Sequence, residues 1–358
     1  MLRPFVSAVA AVLLLALPAS AQSLEQMAGQ MIVVGFVGDD ADDRGVVALR
    51  EEIAAGLVGG VMYLKSNVAS LRRVEAMNAG FLSASPALPP LITIDQEGGS
   101  VERLTRAVGF REIPSAERVA TSSTPAESER VYADLAERIA AAGFTVNFGP
   151  VVDLKLNPRN QVVARWGRTF GRDPQTVTAY AEAFVRGHRA AGVLTALKHF
   201  PGHGSSAGDS HEGYVDITQS WRPEELEPYR AMIADGLVDL VMIAHLVHRD
   251  FATTPSSLTP EWIDGVLRSQ LGYTGAVISD DLEMGAIRQH FDLRETVVRA
   301  VRAGTDLLLF SNTVKPRAGL AGEIRAILVA EAEADPAFRA RIEQSYGRIV
   351  ALRRGLAE

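Results

Sequence analysis

LTALKHF (Leu194–Phe200) is a short apolar run that ends close to two titratable side chains, Lys198 and His199. DLVMIAH (Asp239–His245) and GAVISD (Gly275–Asp280) share its form, a stretch of branched and apolar residues that runs into a polar group. A strand wetted on one face alternates apolar and polar residues, whereas a run without alternation reads as a strand covered on both faces. Five further runs complete the set: Met31–Phe36, Gly59–Leu64, Leu91–Asp95, Thr145–Phe148 and Asp306–Phe310. Leu24–Gln30 reads as a short helix ahead of the first run. Amphipathic stretches such as Val131–Ala142, Thr176–Ala191 and Asp292–Ala303 separate several of the others. Eight buried strands alternating with helices predict a parallel α/β fold, and eight is the number that closes a barrel. The expected fold is one (β/α)8 TIM-type barrel over residues 22–358. A doubly wound open sheet is the alternative. Its nucleotide-binding forms lack support, since no GxGxxG follows a strand and no Walker sequence occurs.

The 358 residues are 47% hydrophobic and 22% charged, an ordinary globular composition. A formal net charge of −7 with scattered rather than clustered arginines argues against nucleic acid as a partner. The absence of cysteine excludes disulfides, thiolate nucleophiles and thiolate metal sites. At the N-terminus, Arg3 precedes an apolar run from Val6 to Leu17. Pro18 and the small-residue site Ala19-Ser20-Ala21 follow. This is the anatomy of a cleaved export signal over residues 1–21, and the run is too short to span a bilayer comfortably. The expected mature chain begins at Gln22, is periplasmic or secreted, and has no stable membrane insertion.

Polar groups collect where the runs end: Asp95, Lys198 with His199, His245 and Asp280. In a (β/α)8 barrel that rim carries the active site. Two long connections, Gln96 to about Pro125 and Pro201 to about Gln219, add to it, and long irregular loops in compact domains usually carry function. KHFPGHGSSAGDSH (Lys198–His211) holds three histidines and an aspartate among turn-forming glycines. Three readings compete: an exposed loop that happens to contain histidine, a metal site, and an acid–base dyad of Asp209 with His211. No HExxH helix accompanies the histidines. A carboxylate two residues from an imidazole orients its tautomer and favours its charged form. Asp280 and Asp281 are adjacent. If the strand runs through them, one faces the substrate and the other is placed to cap the following helix.

At these segments the chain resembles glycoside hydrolase family 3, and within it the β-N-acetylglucosaminidase branch. The matching stretches are IDQEGG (Ile94–Gly99), VNFGPVVD (Val146–Asp153), GRTFG (Gly167–Gly171), KHFPGHG with its following DSH, and Gly275 with Ser279–Asp281. The resemblance implies a retaining hydrolase in which Asp280 is the nucleophile, His211 the acid/base and Asp209 its partner. It implies substrate binding by Asp95, Arg103, Arg168, Lys198 and His199, with no metal and no cofactor. The substrate implied is a small β-N-acetylglucosaminide from cell-wall muropeptides or chitin oligosaccharides. Larger members take a Glu acid/base from a second α/β-sandwich domain; here the DSH loop supplies the alternative, and a single-domain monomer is expected. The chain departs from relatives at Ser100, where arginine is common, and around Trp166-Gly167. His203 is expected to shape the loop, and His245 and His248 to line the pocket or its rim. The rival functions are a phosphorylase on the same scaffold, a metal-dependent hydrolase using His199, His203, Asp209 and His211, and a catalytically silent sugar-binding protein.

Overall fold

The protein is described from a computed structural model that covers residues 22–85 and 87–356, so the expected export signal lies outside the described residues. Eight strands form one parallel sheet: β1 (Ile32–Gly35), β2 (Gly60–Met62), β3 (Leu91–Ile94), β4 (Val146–Asn147), β5 (Leu194–Phe200), β7 (Leu240–Ile243), β9 (Ala276–Ser279) and β10 (Leu308–Phe310). Their order is β10-β1-β2-β3-β4-β5-β7-β9. A parallel bridge between Ile278 and Leu307 joins the two ends of that series. Closure excludes the doubly wound alternative: the fold is a (β/α)8 barrel. Each of the eight expected runs supplies one strand, shortened mostly by a residue or two where the ends turn into loops.

Burial explains the unalternating sequences. Ile32, Val33, Val61, Leu91, Ile92, Leu240, Val241, Val277 and Leu308 are all fully buried, with side chains on both faces of the sheet covered. The helix Pro174–Ala190 shows how the outer layer is attached. Asp173 caps it by accepting from Thr176 N at 2.8 Å, proline occupies its first turn, and Val177, Ala181, Phe184 and Val185 face inward. Gly187 lets it approach the helix Pro125–Ala141, since a Cβ there would stand 2.7 Å from Ala133 N.

That helix also positions the site. Its buried His188 donates from Nδ1 to Phe184 O at 2.8 Å and accepts on Nε2 from Asn147 Nδ2 at 3.0 Å. Burial pushes its pKa down to about 4, which keeps the ring neutral. Asn147 in turn accepts from Gln96 N at 3.0 Å, and the Gln96 amide clamps the next loop through Arg103 N and Leu104 N. A chain of buried amides thus runs from the outer helix to the loop after β3.

Two features were not expected. A second parallel pair, β6 (Val215–Asp216) with β8 (Leu246–Val247), stands above the barrel. A third long connection, from β4 to the helix at Pro174, carries Asp153, Trp166 and Arg168 to the rim. No described helix is long and apolar enough to cross a membrane.

Candidate active site

A cavity of about 340 Å³ opens at the C-terminal ends of the strands. Asp95, Arg103, Arg168, Lys198, His199, His211 and Asp280 all line it. Asp209 does not; it stands behind His211 in an adjoining cleft. Lys198 and His199 are consecutive, yet both face the cavity. The register of β5 against β7 slips between Leu197 and Phe200, and such a bulge re-aims side chains that a regular strand would send to opposite faces.

One wall is a chain of compensated charges. Arg103 Nη2 meets Asp95 Oδ2 at 2.9 Å, and Lys198 Nζ bridges Asp95 Oδ1 at 2.8 Å and Glu97 Oε1 at 2.6 Å. Arg168 grips Glu97 with Nε at 2.9 Å and Nη2 at 2.7 Å, a bidentate pair. Burial acts to raise the pKa of both carboxyls. Lys198 and Arg103 more than offset it at Asp95, as Arg168 and Lys198 do at Glu97, so both are held below their ordinary range. Removing one member would leave a buried partner uncompensated, which is the costly way to break such a network.

The floor is a second pair. His199 Nδ1 lies 2.6 Å from Asp153 Oδ2, and Asp153 Oδ1 accepts from His203 N at 2.7 Å. With Nδ1–H donating to Asp153, His199 Nε2 is left to accept from Arg168 Nη2 at 3.3 Å. Asp153 is buried, which acts to raise its pKa, but the His199 imidazole outweighs this and keeps it low. Asp280 follows the end of β9. Its carboxylate accepts from Asp281 N at 2.8 Å through Oδ1. Burial acts to raise its pKa; the imidazoles of His199, His245 and His211 outweigh it and hold the group ionised.

Asp281 corrects an expectation. The strand ends at Ser279, and the helix Gly285–Arg288 begins after Met284 without a side-chain cap. Asp281 instead accepts from Ser311 N at 2.9 Å and Glu283 N at 3.1 Å, tying the corner after β9 to the loop after β10. His245 sits behind this corner, with Nδ1 on Ser257 Oγ at 2.7 Å and Nε2 on Asp281 O at 2.9 Å. His248 packs among Trp221, Phe251 and Trp262. Neither lines the main cavity.

The KHFPGHG loop is built by close approach. Gly202 has φ +123°, and a Cβ on Gly204 would fall 1.7 Å from Leu154 O. His203 is buried, with Nδ1 on Ser206 Oγ at 2.6 Å and Nε2 near Ser210 Oγ at 3.3 Å, the loop-shaping place expected of it. Farther on, His211 is mostly exposed, and its Nδ1 lies 2.7 Å from Asp209 Oδ1. The loop docks on the helix Gly285–Arg288, where Gly285 N and Ala286 N donate to His211 O and Ser210 O, each at 3.1 Å. Among the described residues no group of three or more His, Cys, Asp or Glu is arranged to hold a metal ion.

Beneath the loop, Glu225 accepts from Gly204 N at 2.9 Å and from the Ser205 hydroxyl. Burial pushes its pKa from 4.5 up to about 8. The folded chain therefore keeps a proton that the unfolded chain releases, so this group's contribution to stability falls as pH rises from about 4.5 to about 8. Glu225→Gln should melt with the wild type near pH 5 and above it beyond pH 8. Melting curves that stay parallel across that range would remove the explanation.

Glu97, Asp153 and Glu225 were not among the expected site residues. Glu97 and Asp153 lie inside IDQEGG and VNFGPVVD, so carboxylates in those stretches were the available signal; Glu225 gave none.

The Glycosyl hydrolase family 3 N terminal domain profile matches residues 23–351. A beta-hexosaminidase of Stenotrophomonas maltophilia strain R551-3 is 35% identical over 288 residues, 78% of this chain and 82% of that protein. Beta-hexosaminidase LpqI of Mycobacterium tuberculosis is 36% identical over 293 residues, 79% of this chain and 72% of that protein. The crystal structure of a beta-N-acetylhexosaminidase from Beutenbergia cavernae superposes with a TM-score of 0.81 at 30% identity, covering 92% of this chain and 98% of that one. Matched by the family profile along almost the whole described length, this chain belongs to glycosyl hydrolase family 3 and is a glycoside hydrolase.

Proposed function

We propose that the chain is an exported, retaining β-N-acetylglucosaminidase that removes terminal, non-reducing N-acetylglucosamine from cell-wall or chitin-type oligosaccharides. The observation that carries this reading is the pairing of two unlike groups on one cavity. Asp280 is half-buried and ionised, and His211 is exposed with its Nδ1 held by Asp209.

In the mechanism, Asp280 attacks the anomeric carbon and the sugar–oxygen bond breaks as His211 Nε2 gives its proton to the departing oxygen. The glycosyl ester on Asp280 is then opened by water, whose proton His211 takes back. Asp209 fixes the imidazole so that Nε2, not Nδ1, points at the reaction. Asp95, Lys198 and His199 hold sugar hydroxyls, and Arg103 and Arg168 supply charged donors whose carboxylate partners keep them in place. Such contacts accelerate the reaction where they strengthen as the ring distorts.

An aryl β-N-acetylglucosaminide should be hydrolysed at least about a hundredfold faster, in kcat/KM, than the matching β-glucoside or β-xyloside, because a site built for a polar substituent discriminates against its absence. Equal or faster turnover of the glucoside would defeat the assignment. A neutral imidazole repels an anionic acceptor less than a carboxylate does, so the same assay in phosphate, with free sugar and sugar 1-phosphate resolved, separates hydrolysis from phosphorolysis. Activity that persists after exhaustive chelation separates it from a metal-dependent hydrolase.

A further inference from the structure

Beside the main cavity lies a cleft of about 270 Å³ lined by Ser100, Gln161, Trp166, Asp209 and His211, among others. The two spaces share Val101, Val162, Arg168 and His211, whereas Asp280 lines only the main cavity. We propose that this cleft is the subsite for the leaving sugar, and that the Trp166 indole is the surface on which that pyranose stacks. The subsite rests on the acid role proposed for His211. A proton donor stands next to the oxygen that departs, and the nucleophile stands on the other side of the anomeric carbon. The space that holds the donor without the nucleophile is therefore where the leaving group lies.

Trp166 has the properties of a stacking surface. It is 47% exposed and lines the cleft, and an indole offers a broad apolar face with a polar N–H edge, which suits a contact surface in water. Its backbone is fixed: it ends the turn Ala164–Trp166, Gly167 O accepts from Glu117 N at 3.0 Å, and Arg165 N donates to Asn160 O at 3.0 Å. Buried Asn160 also donates to His203 O at 2.8 Å, which ties this turn to the loop that carries His211. The Arg165 guanidinium lies over the indole at 5.0 Å and donates to Gln161 Oε1 at 3.1 Å, holding ring and amide together. Ser100 and Gln161 offer polar groups at the edges, so the cleft combines an aromatic surface with hydrogen-bonding sites, as suits a sugar ring. Chitin and muropeptide fragments both present a 2-acetamido pyranose here, so this shared ring is the ligand.

The test compares two substrates with the same transferred sugar. N,N′-diacetylchitobiose fills the cleft, while β-N-acetylglucosaminyl fluoride leaves an ion too small to use it. Trp166→Ala should lower the ratio of disaccharide to fluoride kcat/KM about tenfold, the size of one aromatic contact. Trp166→Phe, which keeps a ring, should restore most of that ratio. A ratio unchanged in Trp166→Ala, or one that Trp166→Phe fails to restore, overturns the subsite while leaving the proposed activity standing. Wild-type protein that cleaves neither substrate overturns the proposed activity and the subsite with it. Repeating the comparison with a muramic-acid disaccharide shows which source of the ring the cleft favours; loss of the Trp166 effect on both disaccharides would again count against it.

Discussion

Replacing Asp280 with asparagine is expected to lower kcat/KM for an aryl β-N-acetylglucosaminide by about four orders of magnitude, on the order of 5 kcal/mol of transition-state stabilisation. The amide keeps the shape of the side chain and can still receive Asp281 N, so folding should survive. What disappears is the anionic oxygen that attacks carbon and later leaves. Asp281→Asn should cost far less, on the order of tenfold or below, because that carboxylate is engaged by Ser311 N and Glu283 N. Both side chains line the cavity, so proximity alone does not separate them; their hydrogen bonds do. Azide should rescue Asp280→Ala, where truncation opens room for an anion on the nucleophile's face, giving a glycosyl azide. Loss of activity ranked the other way would transfer the nucleophile role to Asp281.

His211→Ala is expected to lose activity in proportion to how badly the leaving group needs a proton. For N,N′-diacetylchitobiose, whose alkoxide leaves poorly, the loss should reach about three orders of magnitude, within the range attributed to general acid–base catalysis. For a dinitrophenyl glycoside the first bond should break almost as before. The slow step should then be opening of the glycosyl ester, since the variant also lacks the base that activates water. A burst of phenol followed by slow turnover is the expected trace, and azide should speed the second phase. Asp209→Ala should give a weaker form of the same pattern, because it removes only the group that orients the imidazole. The side chain of His211 is 65% exposed, so its loss should leave the melting temperature nearly unchanged. Equal slowing of good and poor leaving groups would rule out proton donation.

The barrel and the face that carries the site were legible in the chain. Burial on both sides of a strand is a local property that selects Val, Ile and Leu without alternation, and eight such runs appear before any contact is known. KHFPGHG was legible for a similar reason: Gly202 and Gly204 stand where a Cβ would meet Glu225 and Leu154, so close approach leaves its trace in composition. Asp209 and His211 are two residues apart, and their contact is nearly a property of the local chain.

The charge network was not legible, because a carboxylate's partner is set by register and by bulges rather than by its neighbours in sequence. Glu97 meets Lys198 and Arg168, and Asp153 meets His199, only once β3, β4 and β5 are side by side. Whether Asp281 caps a helix depended on where β9 ended, and the loop after β10 decided it by presenting Ser311 N. Trp166 reads in sequence as one more aromatic in an irregular stretch; the third long connection and its buried Asn160 set it beside His211. The sequence determined which runs would be buried and two of the three long loops at the rim, since desolvation acts on each residue separately. The tertiary structure decided which charges compensate one another and that Trp166 and His211 line one cleft, since those depend on distances between segments far apart in the chain.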